Sequence, residues 1–300
     1  MSEVLSDAAT GIVLKARNLK KRFRDFRAVD GLNLTVPEGK IYGFLGRNGA
    51  GKTTTIRMLM GIIESDGGEI EMLGKPTHRL TLQQKQSIGY LSQGQFFYPW
   101  MTCREIGNFV AGFYPAWDEA EFKRLLQALD LPPKRKISAL SHGMKVKLAL
   151  ALALAHRPTL LILDEPTAGL DPVARREFLE IVQQQSRTHH RTTFFSSHLI
   201  DEVERIADVV GIIDRGQLRY EGDIASLQES VRRIPSSAKN GKTPLGDGFY
   251  VLKEEFQNGP SCIVCASAED WSKLPADCVS QPLSLEDIFI ALTWSAPARL

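Results

Sequence analysis

Residues 40–60 read KIYGFLGRNGAGKTTTIRMLM, and this stretch decides the fold. Lys40 to Leu45 is a short apolar run of strand character, Gly46 to Thr53 fits the pattern G-x-x-x-x-G-K-[ST], and Thr53 to Met60 reads as a helix. A strand, a glycine-rich turn and a helix in that order are the context the pattern requires. The glycines permit torsions that turn successive N–H groups inward around phosphate oxygens. The helix N-terminus adds positive partial charge. Gly46, Arg47, Asn48, Gly49, Ala50, Gly51, Lys52, Thr53 and Thr54 are therefore the candidate nucleotide-phosphate cradle. Lys52 is expected to reach the β- and γ-phosphates and Thr53 to ligate Mg²⁺.

The partner motif is Leu160-Leu161-Ile162-Leu163-Asp164-Glu165, an apolar strand ending in two carboxylates. Asp164 is the expected Mg²⁺ holder. Glu165, beside it, is the expected general base that polarises an attacking water. The pair of motifs predicts ATP and Mg²⁺ as substrate and cofactor of a phosphate-loop ATPase.

Working outward, residues 12–36 alternate as two strands around a turn near Arg24-Asp25, and Ile70–Leu73 and Ser87–Leu91 are further strands. Residues 102–136 read as helical with a break at Pro132-Pro133, and Ser141–Ala155 as a strong helix. After the Leu160 strand, helices at 172–187 and 199–206 alternate with strands at 192–196 and 209–213, which implies an α/β domain with a largely parallel sheet. Residues 234–248, IPSSAKNGKTPLGDG, read as a linker, followed by strands at 250–256 and 262–266 and a helix at 285–292.

The chain has 300 residues, 43% hydrophobic and 24% charged, with a formal net charge of +2. That balance gives no electrostatic reason to expect nucleic acid. The longest apolar run, Leu148 to Ala155, is far short of the roughly 20 residues of a spanning helix. The N-terminus lacks the basic start and apolar stretch of a secretory signal. A cytosolic protein is expected, with any membrane role exercised through a partner. Of the four cysteines, Cys262 and Cys265 have the spacing of half a metal clamp but no matching second pair; reduced structural thiols are the expectation.

Leu140-Ser141-His142-Gly143-Met144 opens the helix that precedes the Asp164 strand, and it resembles the LSGGQ motif of ATP-binding-cassette (ABC) ATPases. The resemblance covers about residues 13–223 and a C-terminal LEDIFIAL at 285–292. It implies the following roles. Gln93 resembles the glutamine that senses the γ-phosphate and metal. Ala168-Gly169-Leu170-Asp171 resembles the loop that communicates across a dimer. His198, 34 residues after Asp164, resembles the histidine that contacts the γ-phosphate. Phe23 holds the place of the aromatic that stacks on adenine. Ser141 and Gly143 would close over the γ-phosphate bound to the opposite subunit. The fold implied is a phosphate-loop ATPase core with a mainly parallel sheet, an antiparallel β subdomain and a helical subdomain at about 95–156. Residues 10–223 would form the ATP-binding domain, and residues 224–300 a linker and small α+β appendage.

Two residues depart from the pattern: His142 stands for a glycine and Met144 for a glutamine. Met144 has no side-chain donor for a ribose, so looser nucleotide discrimination is expected. The aromatic stretch Gln95–Met101, QFFYPWM, lies where the family receives a helix of the membrane subunit; burial against the helical subdomain is the alternative. The resemblance implies a transport ATPase, of bacterial exporter type, with a separately encoded integral membrane permease. Its location would be the cytoplasmic face of the membrane. The second ABC subunit is either an identical copy or a sister chain. The rival is a soluble ABC ATPase of non-transport role, such as iron–sulfur assembly; the aromatic groove favours transport.

Overall fold

The computed structural model describes residues 11–76, 80–94, 96–235, 248–255, 261–272 and 280–293. The chain divides into two compact units, with the boundary after Leu218.

The first unit opens with β1 (Ile12–Phe23), β2 (Phe26–Pro37), β3 (Ile41–Gly46), α1 (Lys52–Leu59), β4 (Gly67–Met72) and β5 (Lys75–Pro76). It continues with α2 (Leu82–Gln86), β6 (Ile88–Leu91), α3 (Cys103–Ala111), α4 (Glu119–Ala128) and α5 (His142–Leu154). Then come β7 (Leu160–Asp164), α6 (Pro172–Thr188), β8 (Thr192–Ser197), α7 (Ile200–Ile206), β9 (Val209–Asp214) and β10 (Gln217–Asp223), the last crossing the boundary. The strands form an antiparallel sheet, β2-β1-β4-β5, and a six-stranded sheet, β10-β9-β3-β8-β7-β6, whose pairs β9-β3, β3-β8, β8-β7 and β7-β6 are parallel.

The strands β3, β7 and β8 are buried along their whole length, and β3 and β7 accordingly show no polar–apolar alternation; in β8 buried Thr and Ser flank Phe194 and Phe195. Their register decides where chemistry gathers. Leu45 pairs with Ser197 and Asp164 with Ser196, so the carboxyl ends of the three strands lie at one edge of the sheet. Ligands of open α/β sheets bind at such an edge.

The helices that carry site residues start on side-chain caps. The Ser141 hydroxyl accepts from the Met144 N–H at the head of α5. Asp171 accepts from Val173 and Ala174 N–H groups at 3.0 Å, and Pro172 occupies the first turn of α6. The expected helical stretch 102–136 resolves into α3 and α4, each capped: Thr102 and Glu105 form a capping box, and Asp118 caps α4.

The second unit holds α8 (Ile224–Ser230), β11 (Val231–Pro235), β12 (Tyr250–Glu255), β13 (Ser261–Cys265), α9 (Ala268–Trp271), β14 (Gln281–Pro282) and α10 (Leu285–Thr293). Its sheet order is β12-β13-β11-β14, with Ile234, Cys262, Val264 and Trp271 in its core. The linker expected at 234–248 needs correction at its start, because Ile234 and Pro235 end β11, paired with Cys262 and Ser261. Residues 236–247 of that stretch, Gln95, Phe256 and Cys278 lie outside the described residues.

Candidate functional site

The phosphate loop leaves β3 at Gly46 and enters α1 at Lys52. Gly51 caps that helix with φ 110°, a left-handed torsion, and a Cβ there would stand 2.5 Å from the Ala28 carbonyl oxygen. Only glycine fits both demands. The loop walls a hollow of about 340 Å³, near the small end of ligand sites. Asn48, Gly49, Gly51, Lys52, Thr53, Thr54, Gln93 and Glu165 line it, with Phe26 and Ala28 at one side.

Lys52 is buried. Its Nζ donates to the carbonyls of Gly46 at 2.7 Å and Arg47 at 3.2 Å, and lies 3.0 Å from Glu165 Oε1. The other Glu165 oxygen, Oε2, takes Gln93 Nε2 and His198 Nδ1, each at 3.4 Å. Glu165 thus sits at the centre of three of the expected site residues, and its backbone holds a φ of 45°. That torsion costs a non-glycine residue on the order of 1 kcal/mol.

Ser196, absent from the sequence-derived site, secures that conformation. Its Oγ accepts from the Glu165 N–H at 2.9 Å and donates to Asp164 Oδ1 at 2.9 Å. Thr53 Oγ1 donates to the same Asp164 oxygen at 3.1 Å. Burial pushes the Asp164 carboxyl above its ordinary range, against the pull of the Ser196 and Thr53 hydrogen bonds; the neighbouring Glu165 charge adds to the rise. Behind the site, the buried Glu202 accepts from Thr167 Oγ1 at 2.6 Å and from Ser197 Oγ at 2.5 Å. It thereby fastens the loop after Glu165 to α7. The signal for Ser196 is the Ser196-Ser197 pair that ends β8, legible only once that strand is set beside β7.

Four expected site residues, Ser141, Gly143, Asp171 and Phe23, stand apart from the hollow. Ser141 and Gly143, at the head of α5, are not among its lining residues. Asp171 is engaged as the cap of α6. Phe23 pairs across the hairpin with Phe26, half exposed beneath the Lys21 ammonium 5.6 Å from its ring centroid. It is Phe26, 61% exposed, that lines the hollow.

A second surface carries exposed aromatics. Phe96, fully exposed, Tyr98, Trp100, Phe109 and Phe113 are all solvent-facing. The Tyr98 ring lies 5.2 Å from Trp100 and 5.7 Å, edge-on, from Phe109, which meets Phe113 at 5.4 Å. Beside them Tyr90, Phe96, Phe97, Val110, Tyr114 and His156 line a hollow of about 230 Å³. An exposed apolar run of this extent marks an interaction surface. Among the described residues, no helix is long and apolar enough to cross a membrane.

The geometry coincides with a family signature. The sequence matches the ABC transporter family over residues 29–168, which takes in the phosphate loop, Gln93, Ser141–Gly143 and Asp164–Glu165. The chain is 38% identical over 223 residues to the bacitracin transport ATP-binding protein of Bacillus licheniformis, covering 74% of this chain and 73% of that one. The chain belongs to the ATP-binding subunits of ABC transporters. A second relative of this ABC family, the Nod factor export ATP-binding protein I of Burkholderia lata, is 39% identical over 293 residues, 92% of this chain and 95% of that one. Among solved structures, the ATP-binding subunit of an ABC transporter matches with a TM-score of 0.65 and 26% identity, covering 72% of this chain and 92% of that one. As an ABC subunit the protein is an ATPase that energises transport, and the non-transport rival is not favoured. Phe23, Asp171 and His198 lie outside the matched span of residues 29–168.

Proposed function

We propose that this chain forms one half of an ATP sandwich that drives an integral membrane permease, in the direction of export. The observation that carries the reading is the convergence of Lys52, Gln93 and His198 on the single carboxylate of Glu165. Residues 46–54 cradle the phosphates, Lys52 takes the β- and γ-phosphate oxygens, and the ring of Phe23 stacks on adenine with Phe26 beside it. Once phosphate neutralises Lys52, the Glu165 carboxylate is free to accept a proton from the attacking water. The water oxygen bonds the γ-phosphorus, the bond to the bridging oxygen breaks, and ADP and phosphate result. Gln93 and His198 hold the γ-phosphate and that water in line.

The donor set fits Mg²⁺. Thr53, Asp164 and Gln93 offer oxygens, and no cluster of three or more His, Cys, Asp or Glu occurs among the described residues to form a cage for another metal. Mg²⁺ held partly by substrate phosphates matches such a set, and when bound it neutralises charge developing on them.

The site is completed by a second cassette, identical or a sister chain. Ser141 and Gly143 at the head of α5 present N–H groups and a hydroxyl to the γ-phosphate bound by the partner, and Asp171 contacts the partner across the interface. Loss of the γ-phosphate removes the shared anion and lets the halves part. Residues 10–223 act as the cassette, 95–156 as its moving helical part, and 224–300 as an appendage. The aromatic run Phe96–Phe113 receives a short helix of the permease, which holds the chain at the cytoplasmic membrane face. Exposed aromatics are strong anchors for such a helix. The export direction is supported by the likeness to the Nod factor export ATP-binding protein I.

The test is Glu165→Gln, purified from native membranes in mild detergent with ATP and Mg²⁺. The reading expects retained ATP binding, a trapped pair of cassettes and a co-purifying integral membrane protein in fixed ratio. A variant that stays monomeric at saturating ATP–Mg²⁺ would sink the sandwich. Recovery only with soluble partners would sink the permease.

A further inference from the structure

We infer that His142 is a positioning residue: it ties the head of α5 to the loop that leaves Glu165, so that nucleotide seen by Ser141 and Gly143 sets the carboxylate of the chain's own site. This rests on the sandwich reading above. His142 Nε2 lies 3.0 Å from the carbonyl oxygen of Ala168. A carbonyl only accepts, so Nε2 carries the proton and donates.

What that bond holds gives it its consequence. The loop turns twice in succession, with the Ala168 N–H on the Glu165 carbonyl at 3.2 Å and the Leu170 N–H on the Thr167 carbonyl at 3.1 Å. It begins at the strained Glu165 backbone, φ 45°, and passes Gly169 at φ 77° before Asp171 caps α6. Thr167 is anchored on Glu202, and Asp171 on the α6 N–H groups. The His142 ring holds the stretch between those anchors. It lies so close that a Cβ at Gly169 would stand 3.2 Å from Nε2. The contact is shared: a Cβ at Gly143 would meet Leu170 at 3.6 Å, and Lys147 bridges α5 to Glu177 of α6 at 2.9 Å. The first turn of α5 and the Glu165 loop are therefore joined, with the His142 side chain making the hydrogen bond to the loop backbone. The LSGGQ pattern has glycine at this place and no side chain to make the bond.

The two ends of the joint face different nucleotides. Ser141, next to His142, reads the ATP bound by the partner cassette; Glu165, three residues before Ala168, acts on the ATP of its own. A displacement of the α5 head by the partner's γ-phosphate reaches Glu165 through Ala168, and the joint makes each site sensitive to the other.

The experiment measures ATPase rate against ATP concentration in the purified transporter for His142→Phe, His142→Gly and His142→Gln, with fluorescent-nucleotide binding to the isolated cassette. Phe keeps a ring without a donor, whereas Gln places a donor at similar reach. The expected result is a kcat about threefold to tenfold lower for Phe and Gly, the range of one net hydrogen bond. Cooperativity in ATP should weaken in both, nucleotide affinity of the isolated cassette should stay unchanged, and Gln should recover most of both losses. A Phe variant with wild-type kcat and cooperativity overturns the inference, as does a Gln variant as impaired as Phe. Failure of Glu165→Gln to form an ATP-dependent pair with His142 intact overturns the sandwich instead, and the inference with it.

Discussion

Replacing Glu165 with alanine isolates one interaction, because the Lys52 ammonium is left without its carboxylate while its two carbonyl acceptors remain. Both side chains are well buried, 3% and 10% exposed, at a separation of 3.0 Å. At an effective dielectric constant of about 20 the bare Coulomb attraction at that distance is about 5–6 kcal/mol. Water entering the hollow beside Lys52 offsets part of it. The Gln93 and His198 contacts at 3.4 Å involve exposed groups that water can serve instead. The expected loss without nucleotide is therefore about 2–3 kcal/mol, just under the range of about 3–5 kcal/mol for breaking a fully buried pair, because water reaches the hollow. That corresponds to a Tm lowered by roughly 4–10 °C in a domain of this size. Saturating ADP supplies a competing anion to Lys52, so the same substitution should then cost under about 0.5 kcal/mol, as an exposed pair does. The assay is urea unfolding of wild type and Glu165→Ala with and without ADP, in the absence of ATP so that pairing of cassettes does not enter. An equal loss in both conditions, or none without nucleotide, would refute the claim that Glu165 and phosphate compete for Lys52.

Glu165→Gly should be more stable than Glu165→Ala by about 1 kcal/mol in the same unfolding assay, because glycine adopts φ 45° without strain. Ser196→Ala leaves the Glu165 N–H unpaired and costs Asp164 one of its donors; a kcat about fivefold to 150-fold lower is expected at little change in ATP affinity, the cost of an unmade buried bond being about 1–3 kcal/mol. Burial lowers the pKa of His156, whose Nε2 donates to the Ile88 carbonyl at 3.2 Å, so the folded state resists its protonation. Stability should hold above the ordinary value of 6.5 and fall as pH drops through it; His156→Phe should be less stable at pH 8 but lack that fall between pH 7 and 5, read by thermal melts. Trp100→Ala should weaken co-purification of the permease by more than about thirtyfold in affinity, as loss of an aromatic anchor does, while the ATPase rate of the isolated cassette stays within twofold.

The reach of sequence reading varied with how local the cause was. The phosphate loop was legible because a glycine pattern between a strand and a helix is a local constraint, and Asp164 and Glu165 because an apolar strand ending in two carboxylates is rare in the chain. The ends of α3 and α4 are blurred in the sequence because residues 102–136 read as one helical stretch, and it is the caps Thr102 and Asp118 that divide it. In the second unit, the Ile234-Pro235 end of β11 reads as linker because turn-forming residues follow it, while its partner strand β13 lies nearly 30 residues later.

By itself the sequence determined that residues 46–53 form a glycine-rich turn between a strand and a helix, that two carboxylates end a buried strand, and that Ser141 heads a helix. Those are statements about neighbours along the chain. Only the tertiary structure decided that Ser196 braces both carboxylates, that Glu165 holds Lys52, that Phe26 lines the hollow, and that His142 reaches the Ala168 carbonyl. Each of these joins residues from different elements, and which element lies beside which is set by the register of parallel strands and the packing of buried faces, not by spacing along the chain.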